Sequence, residues 1–351
     1  MMKISQKQQK IIGIFIERGT ISSSEARDIL LKMGESISLV TVKRALSEMT
    51  KAGILMTEGS GRATKYKISA TGRIFAEIDA KKYSSVEPDK RYGISSYNFD
   101  LLPSLPMDIF SDDELKILNG ATAEHEKRTE NLPPAIQKKE LERLTIELSW
   151  KSSKIEGNTY TLLDTEKLIL ENKEARGHSK KEMQMILNHK DAFNFIHENK
   201  SHFKTLTRNN MEELHALLIK NLSVGLGLRS KPVGVTGSIY KPLDNIHQIS
   251  EAVSSLSAAV DRMQTPYAKA LAALLGISYI QPFEDGNKRT ARLMANALLL
   301  SYGCAPLSYR SVDENDYREA VFALYELNSV MPFKKIFIDQ YDFAAKNYAV
   351  K

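Results

Sequence analysis

The run Gln281-Pro282-Phe283-Glu284-Asp285-Gly286-Asn287-Lys288-Arg289-Thr290-Ala291-Arg292 packs a carboxylate, a Gly-Asn turn and three cations into a few residues. That composition suits a phosphate-and-magnesium site. Asp285 is a hard oxygen ligand for Mg²⁺ carried in with a nucleotide. Gly286-Asn287 allows backbone conformations that point N–H groups into a concavity. A helix expected to start near Asn287 adds its positive N-terminal end. On that helix Arg289 and Arg292 are three apart, on one face, and can fork onto phosphate oxygens. Pro282-Phe283 would fix the loop that enters the site. The run lacks a general base: the amide of Gln281 at its head has donors and an acceptor but does not titrate near neutral pH.

The elements that must position this run are mostly helical. Periodicity and caps predict helices over 112–129, 135–155, 162–172, 179–198, 208–222, 247–262, 265–280, 287–302, 313–328 and 332–348. One segment breaks the pattern: Val233-Gly234-Val235-Thr236-Gly237-Ser238-Ile239-Tyr240 alternates small β-formers with Gly and predicts a short hairpin. Residues 80–110 carry Pro, Gly and Ser with no sustained period and predict a linker or extended arm. The first block reads as three helices and a hairpin. Ile11 to Ile16 end at Gly19; Thr20 to Glu25 offer several N-cap residues; Ser38 opens a helix carrying Val42, Leu46 and Met49 and stopped by Gly53. Leu55–Thr57 and Lys65–Ile68 then flank Gly59-Ser60-Gly61-Arg62, a hairpin loop.

Length and composition bound the class. A chain of 351 residues suggests about two domains. No apolar run reaches the roughly 18 residues of a transmembrane helix, and the N-terminus lacks a signal-peptide pattern, so a cytoplasmic protein with no membrane association is expected. The single cysteine, Cys304, excludes an internal disulfide framework and a Cys-based metal site. The net charge of +6 lies wholly in residues 1–70, which hold eight Lys and four Arg against six acidic residues. Such a block reads as a nucleic-acid footprint or as a solvated, Lys-rich surface.

With its arginines, the central run resembles the Fic (Fido) family, whose motif is His-Pro-Phe-x-Asp/Glu-Gly-Asn-Gly/Lys-Arg-x-x-Arg. The resemblance extends over about 110–345. The segment 233–240, preceded by Arg229 and followed by Lys241-Pro242, is similar to the family's flap, which aligns a target chain. Ser152-Ser153-Lys154-Ile155-Glu156-Gly157-Asn158 is similar to the inhibitory pattern Ser/Thr-x-x-x-Glu-Gly/Asn. Residues 5–75 resemble a winged helix. Together these imply a mainly α protein: a winged helix-turn-helix over 1–75, a linker or arm over 76–111, and over 112–351 an all-helical Fic core with a β-hairpin flap and an inhibitory helix at about 135–157.

Most Fic enzymes transfer AMP from ATP to a Ser, Thr or Tyr hydroxyl of a protein, here a partner or the chain itself. By the resemblance Asp285 holds the metal. Asn287, Arg289 and the loop amides around Phe283, Gly286 and Lys288 hold the α- and β-phosphates, and Arg292 engages the γ-phosphate. Val235, Thr236, Gly237 and Ser238 clamp the target and flank the nucleotide, and Tyr317 and Asn328 contact the nucleoside. Glu156 pairs with Arg292, forcing ATP into an unproductive pose, and Ser152 and Gly157 belong to that device. The departure is Gln281, at the position of the family's catalytic histidine. Among the seven histidines only His247, which follows the flap, is a candidate to replace the base; its other reading is an ordinary cap or surface residue.

The winged-helix resemblance implies double-stranded DNA as a partner, with Ser38, Thr41, Lys43, Arg44 and Ser47 in the groove and Arg62, Lys65 and Lys67 on the wing. Its alternative is dimerisation, giving a homodimer, or recognition of a protein. Two functions stay open: a restrained adenylyltransferase, and a nucleotide-sensing transcriptional regulator that no longer catalyses. A Doc-like phosphotransferase, suggested by Lys288, is a third.

Overall fold

The structure is a computed structural model; it describes residues 4–350, and the side chain of Arg62, one of the expected wing cations, lies outside what is described. The chain divides into two compact units. One comprises residues 1–106, 235–241 and 318–333, the other 107–234, 242–317 and 334–351.

The first unit opens with α1 (Gln6–Arg18), β1 (Ile21–Ser22), α2 (Ser23–Lys32), α3 (Leu39–Lys51), β2 (Leu55–Glu58) and β3 (Lys65–Ile68), followed by the short helices α4 (Ala70–Ile74) and α5 (Ala80–Ser84). Local chemistry starts each helix. Ser5 with Gln8, and Ser22 with Glu25, form reciprocal capping boxes, and the Ser38 hydroxyl accepts the Thr41 N–H. β3 is the central strand, antiparallel to both neighbours, with Leu55 opposite Ile68 and Glu58 opposite Lys65. Ile11, Phe15, Leu30, Val42, Leu46 and Met49 close one core over this sheet.

Residues 80–110 are well packed rather than free chain: Tyr83, Tyr97, Leu101, Leu102 and Leu105 are buried. Gly93, at φ +152°, passes so close to the Glu326 carbonyl that a Cβ would lie 2.6 Å from it. The expected flap hairpin differs from expectation. Ser238 N–H donates to the Val235 carbonyl across a tight turn, but no strand ladder forms within 233–240. The exit of the turn pairs instead with the arm, Lys241 N–H donating to the Ser95 carbonyl at 2.8 Å beside a parallel bridge to Ser96. A stretch this short offers its own strands few bonds, and the arm supplies the partner.

The second unit holds α6 (Asp112–Thr129), α7 (Pro134–Ile155), α8 (Leu162–Glu171), α9 (Lys180–Glu198), α10 (Arg208–Ile219), α11 (Ile246–Arg262), α12 (Pro266–Ile280) and α13 (Asn287–Ser301). α14 (Glu314–Leu327) and α15 (Met331–Asn347) contribute residues to both units. These agree with the expected helices to within a few residues, most of them marked by a side-chain cap at the start. α12 is apolar around its whole circumference and is buried from Tyr267 to Ile280 apart from Lys269, as a central helix must be. Among the described residues no helix is long and apolar enough to cross a membrane.

Candidate functional site

The loop 281–286 joins two buried helices, which is what makes it rigid. α12 ends at Gln281 in the left-handed conformation (φ 52°, ψ 59°). The Gln281 amide donates back to the Ser278 carbonyl at 2.6 Å, so this side chain caps its own helix. Arg229, itself buried, clamps the loop from outside: its Nε donates to the Gln281 carbonyl at 2.7 Å, its backbone N–H to the Pro282 carbonyl at 3.0 Å, and its Nη2 to the Leu243 carbonyl. The Asn287 amide closes the loop on itself, accepting the Phe283 N–H and donating to the Phe283 carbonyl, each at 2.8 Å.

Gly286 then starts α13 at φ +80°, a left-handed cap that glycine adopts without strain, and no side chain caps that end. The helix therefore presents first-turn N–H groups uncapped by side chains and its positive dipole end. Asp285 accepts the Gly286 N–H at 2.5 Å and keeps half its side chain exposed. Beneath it Arg289 is 2% exposed, with Nη2 3.7 Å from Asp285 Oδ2 and Nη1 without a hydrogen-bond partner. A buried guanidinium nitrogen left unpaired beside an uncapped helix start has the chemistry to take an anion.

Arg292, one turn further and fully buried, is saturated. Its Nη1 donates to Glu156 Oε1 at 2.9 Å, its Nε to Ser152 Oγ at 2.9 Å and its Nη2 to the Ser152 carbonyl at 2.8 Å. Tyr317 lies under it, ring centroid 5.5 Å away and hydroxyl 3.4 Å from Nη1. Lys288 approaches the second Glu156 oxygen at 3.4 Å. Burial by itself would raise the Glu156 carboxyl, but Arg292 and Lys288 outweigh it and hold it below its ordinary range. Glu156 is the C-cap of α7, so the end of that helix delivers the carboxylate to the start of α13.

One histidine supports the loop from within, and a second is buried near the two arginines. His215 of α10 stacks on Phe283 with centroids 3.7 Å apart and planes at 5°, and its Nε2 is 3.0 Å from the Asp285 carbonyl. Burial pulls it down to about 4, so it is neutral and donates through Nε2. His189 of α9, fully buried, is pushed down by burial and by Arg292 and Arg289.

Residues 205–299 match the model of the Fic/DOC family. The chain carries a Fic/DOC family domain. It is 29% identical over 177 residues to a protein adenylyltransferase Fic of Nematostella vectensis, across 48% of this chain and 41% of that protein; it thus spans about two fifths of that relative's length. Two solved structures share the Fic fold. A Fic domain-containing signaling protein of Bacteroides thetaiotaomicron has TM-score 0.55 at 22% identity, over 66% of this chain and 94% of that one. Fic-1 of C. elegans has TM-score 0.55 at 18% identity, over 67% and 71%. The mainly helical core is the Fic fold.

Within the second unit the structure brings together Gln281, Phe283, Asp285, Gly286, Asn287, Lys288, Arg289, Arg292, Tyr317, Ser152, Glu156 and Gly157. Val235, Thr236, Gly237, Ser238 and Asn328 belong to the other unit. There Ser238 Oγ donates to Glu326 Oε1 at 2.6 Å, and the Asn328 amide accepts from Asn98 at 2.8 Å and donates to the Leu324 carbonyl. Sequence reasoning missed the second cation on Glu156, the Arg229 clamp and the support that His215 gives the loop. No local signal announces a pair made by folding. His247 is exposed at the start of α11, as its surface reading had it. Ser38, Thr41, Lys43, Arg44 and Ser47 are exposed on or beside α3, with Arg44 paired to Glu48 at 2.9 Å; Lys65 is exposed on β3 and Lys67 is paired to Glu58 at 2.5 Å.

Proposed function

We propose that this chain is a restrained, base-deficient nucleotide-binding Fic protein of the adenylyltransferase type, coupled to a DNA-binding winged helix. The observation that carries the nucleotide reading is Arg289: a buried cation with Nη1 unpartnered, beside Asp285 and the uncapped start of α13. Phosphate oxygens fit that nitrogen and those amides. Among the described residues no group of three or more His, Cys, Asp or Glu gathers as a metal cage. One half-exposed carboxylate, Asp285, fits an Mg²⁺ that arrives already held by ATP phosphates. When bound, Mg²⁺ would neutralise phosphate charge. Asn287 shapes the loop rather than reaching outward, since both ends of its amide hold Phe283.

AMP transfer needs the proton of an attacking Ser, Thr or Tyr hydroxyl of a protein, a partner or this chain, to be removed. Gln281 cannot take it, and its amide is turned onto Ser278. Loss of general-base catalysis costs about 10²–10⁴-fold. Glu156 restrains the site further by saturating Arg292. Such a chain binds nucleotide and transfers slowly, which favours a nucleotide-sensing transcriptional regulator acting in the cytoplasm. Lys288 faces Glu156, which weighs against the phosphotransferase reading.

Incubation with α- or γ-labelled ATP and Mg²⁺ tests this. The native chain is expected to bind ATP and incorporate little label, and Gln281→His combined with Glu156→Gly to raise α-label transfer roughly 100-fold or more. Strong native labelling that Gln281→His leaves unchanged would refute the base deficit. Transfer of γ-label alone would make it a phosphotransferase. Absence of ATP binding by native and Glu156→Gly chains would end the nucleotide reading.

A further inference from the structure

We propose that the arm, through Arg91 and Tyr83, sets the conformation of the 235–241 turn by way of the buried carboxylate of Glu326, making Arg91 and Glu326 positioning residues for target alignment. The inference rests on the Fic reading for the role of that turn, but its geometry lies wholly within one unit.

Glu326 is fully buried and receives donors from two directions. From the arm, Arg91 Nη1 donates to both its oxygens, at 3.0 and 3.3 Å, and the Tyr83 hydroxyl donates at 2.7 Å. From the turn, Ser238 Oγ donates at 2.6 Å and the Ile239 N–H at 3.3 Å. Arg91 closes the circuit, its Nη2 donating to the Gly237 carbonyl at 2.5 Å while its guanidinium lies over the Phe322 ring at 5.0 Å. The backbone repeats the connection: Ile94 N–H donates to the Glu326 carbonyl at 2.7 Å, and Lys241 N–H to Ser95.

A buried ion pair persists only where its remaining hydrogen bonds are satisfied. Here two of those bonds are made by Ser238 and Ile239 of the turn, so the turn cannot leave this conformation without taking two donors from Glu326. Because its strands do not pair with each other, the turn takes its shape from the arm. The arm also follows directly on the basic N-terminal elements: Tyr83 belongs to the core of Ile11, Phe15, Leu46 and Met49, as does Leu327, next to Glu326. A partner that moves this core reaches the turn through one carboxylate.

The test uses the full chain in the Gln281→His, Glu156→Gly background, with Ser238→Ala, Ser238→Thr and Arg91→Gln added singly. Ser238→Ala removes one donor and leaves the Arg91–Glu326 pair. Hydrogen exchange is expected to quicken at least tenfold at residues 235–241 in Ser238→Ala and Arg91→Gln, to stay unchanged across α13, and to return to the parent rate in Ser238→Thr. In Arg91→Gln, which lies outside the binding residues, calorimetric ATP affinity is expected to hold within twofold while α-label transfer falls at least tenfold. Unchanged exchange at the turn in both variants would overturn the proposal, as would faster exchange with undiminished transfer. A background chain that binds ATP yet transfers no label would count against the adenylyltransferase reading, and the exchange result would still decide whether Arg91 and Glu326 position the turn.

Discussion

Replacing Glu156 by Gln keeps the shape of the α7 C-cap and removes its charge. In the native chain Glu156 Oε1 lies 2.9 Å from Nη1 of an Arg292 that is 0% exposed, while the Glu156 side chain is 19% exposed. Stripping one partner from a fully buried pair costs about 3–5 kcal/mol. Arg292 would still donate to Ser152 Oγ and the Ser152 carbonyl, and the glutamine oxygen could still accept, so about 1–3 kcal/mol of folding stability should be lost at neutral pH. Because the Glu156 carboxyl is held below its ordinary range by Arg292 and Lys288 against the opposing effect of burial, its stabilisation is complete above that range. It is lost as pH falls from the ordinary carboxylate range down through that lowered value, so native and variant stabilities should converge in acid. ATP affinity should move the opposite way. Arg292 released to a γ-phosphate gains charge-assisted bonds of about 1.5–3 kcal/mol, roughly a tenfold to hundredfold gain that ADP, lacking that phosphate, should not share. Urea unfolding at pH 7 and below, with calorimetry for ATP and ADP in Mg²⁺, reads both arms. Equal changes for ATP and ADP, or reduced stability with no change for ATP, would refute a restraining role for Glu156.

Other perturbations have equally definite outcomes. Both buried histidines are neutral in the folded chain, so stability should fall as pH drops from about 6.5, where unfolded imidazole begins to bind protons, towards about 4 for His215. His215→Asn should flatten that limb by up to about 1.4 kcal/mol per pH unit; an unaltered slope in denaturant titrations would contradict this. Gly276→Ala places a Cβ 2.2 Å from Leu256 Cδ1 and should destabilise by about 1–3 kcal/mol, seen as a lower thermal midpoint. In mobility shifts on duplex DNA, Lys43→Ala and Lys65→Ala should weaken binding and each flatten the log–log salt slope by about 0.9, whereas Arg44→Ala, already paired with Glu48, should do less. Failure of the native chain to bind at low salt would remove DNA as a partner.

What the sequence determined was what nearest neighbours decide. The bounds of α6 to α15 were legible to within a few residues, most readily where Ser111 with Glu114 or Thr161 with Asp164 settles a helix start without distant help. The run 281–292 displayed its carboxylates, its three cations, its Gly-Asn turn and the glutamine at its head, since those follow from residue identity alone. Resemblance extended this to the pairing of Glu156 with Arg292, 136 positions away, which spacing could not supply.

Only the tertiary structure decided where each polar group's bonds are made. It turned Asn287 onto Phe283, placed Lys288 against Glu156, set His215 under the loop and left Arg289 Nη1 unpartnered. It also replaced the expected flap ladder with a turn held by Arg91 and Glu326, residues 235 positions apart. Hydrogen bonds and buried charges are satisfied by whichever groups packing brings within about 3 Å. That choice depends on the whole fold, whereas a cap or an amphipathic period depends on a few adjacent residues.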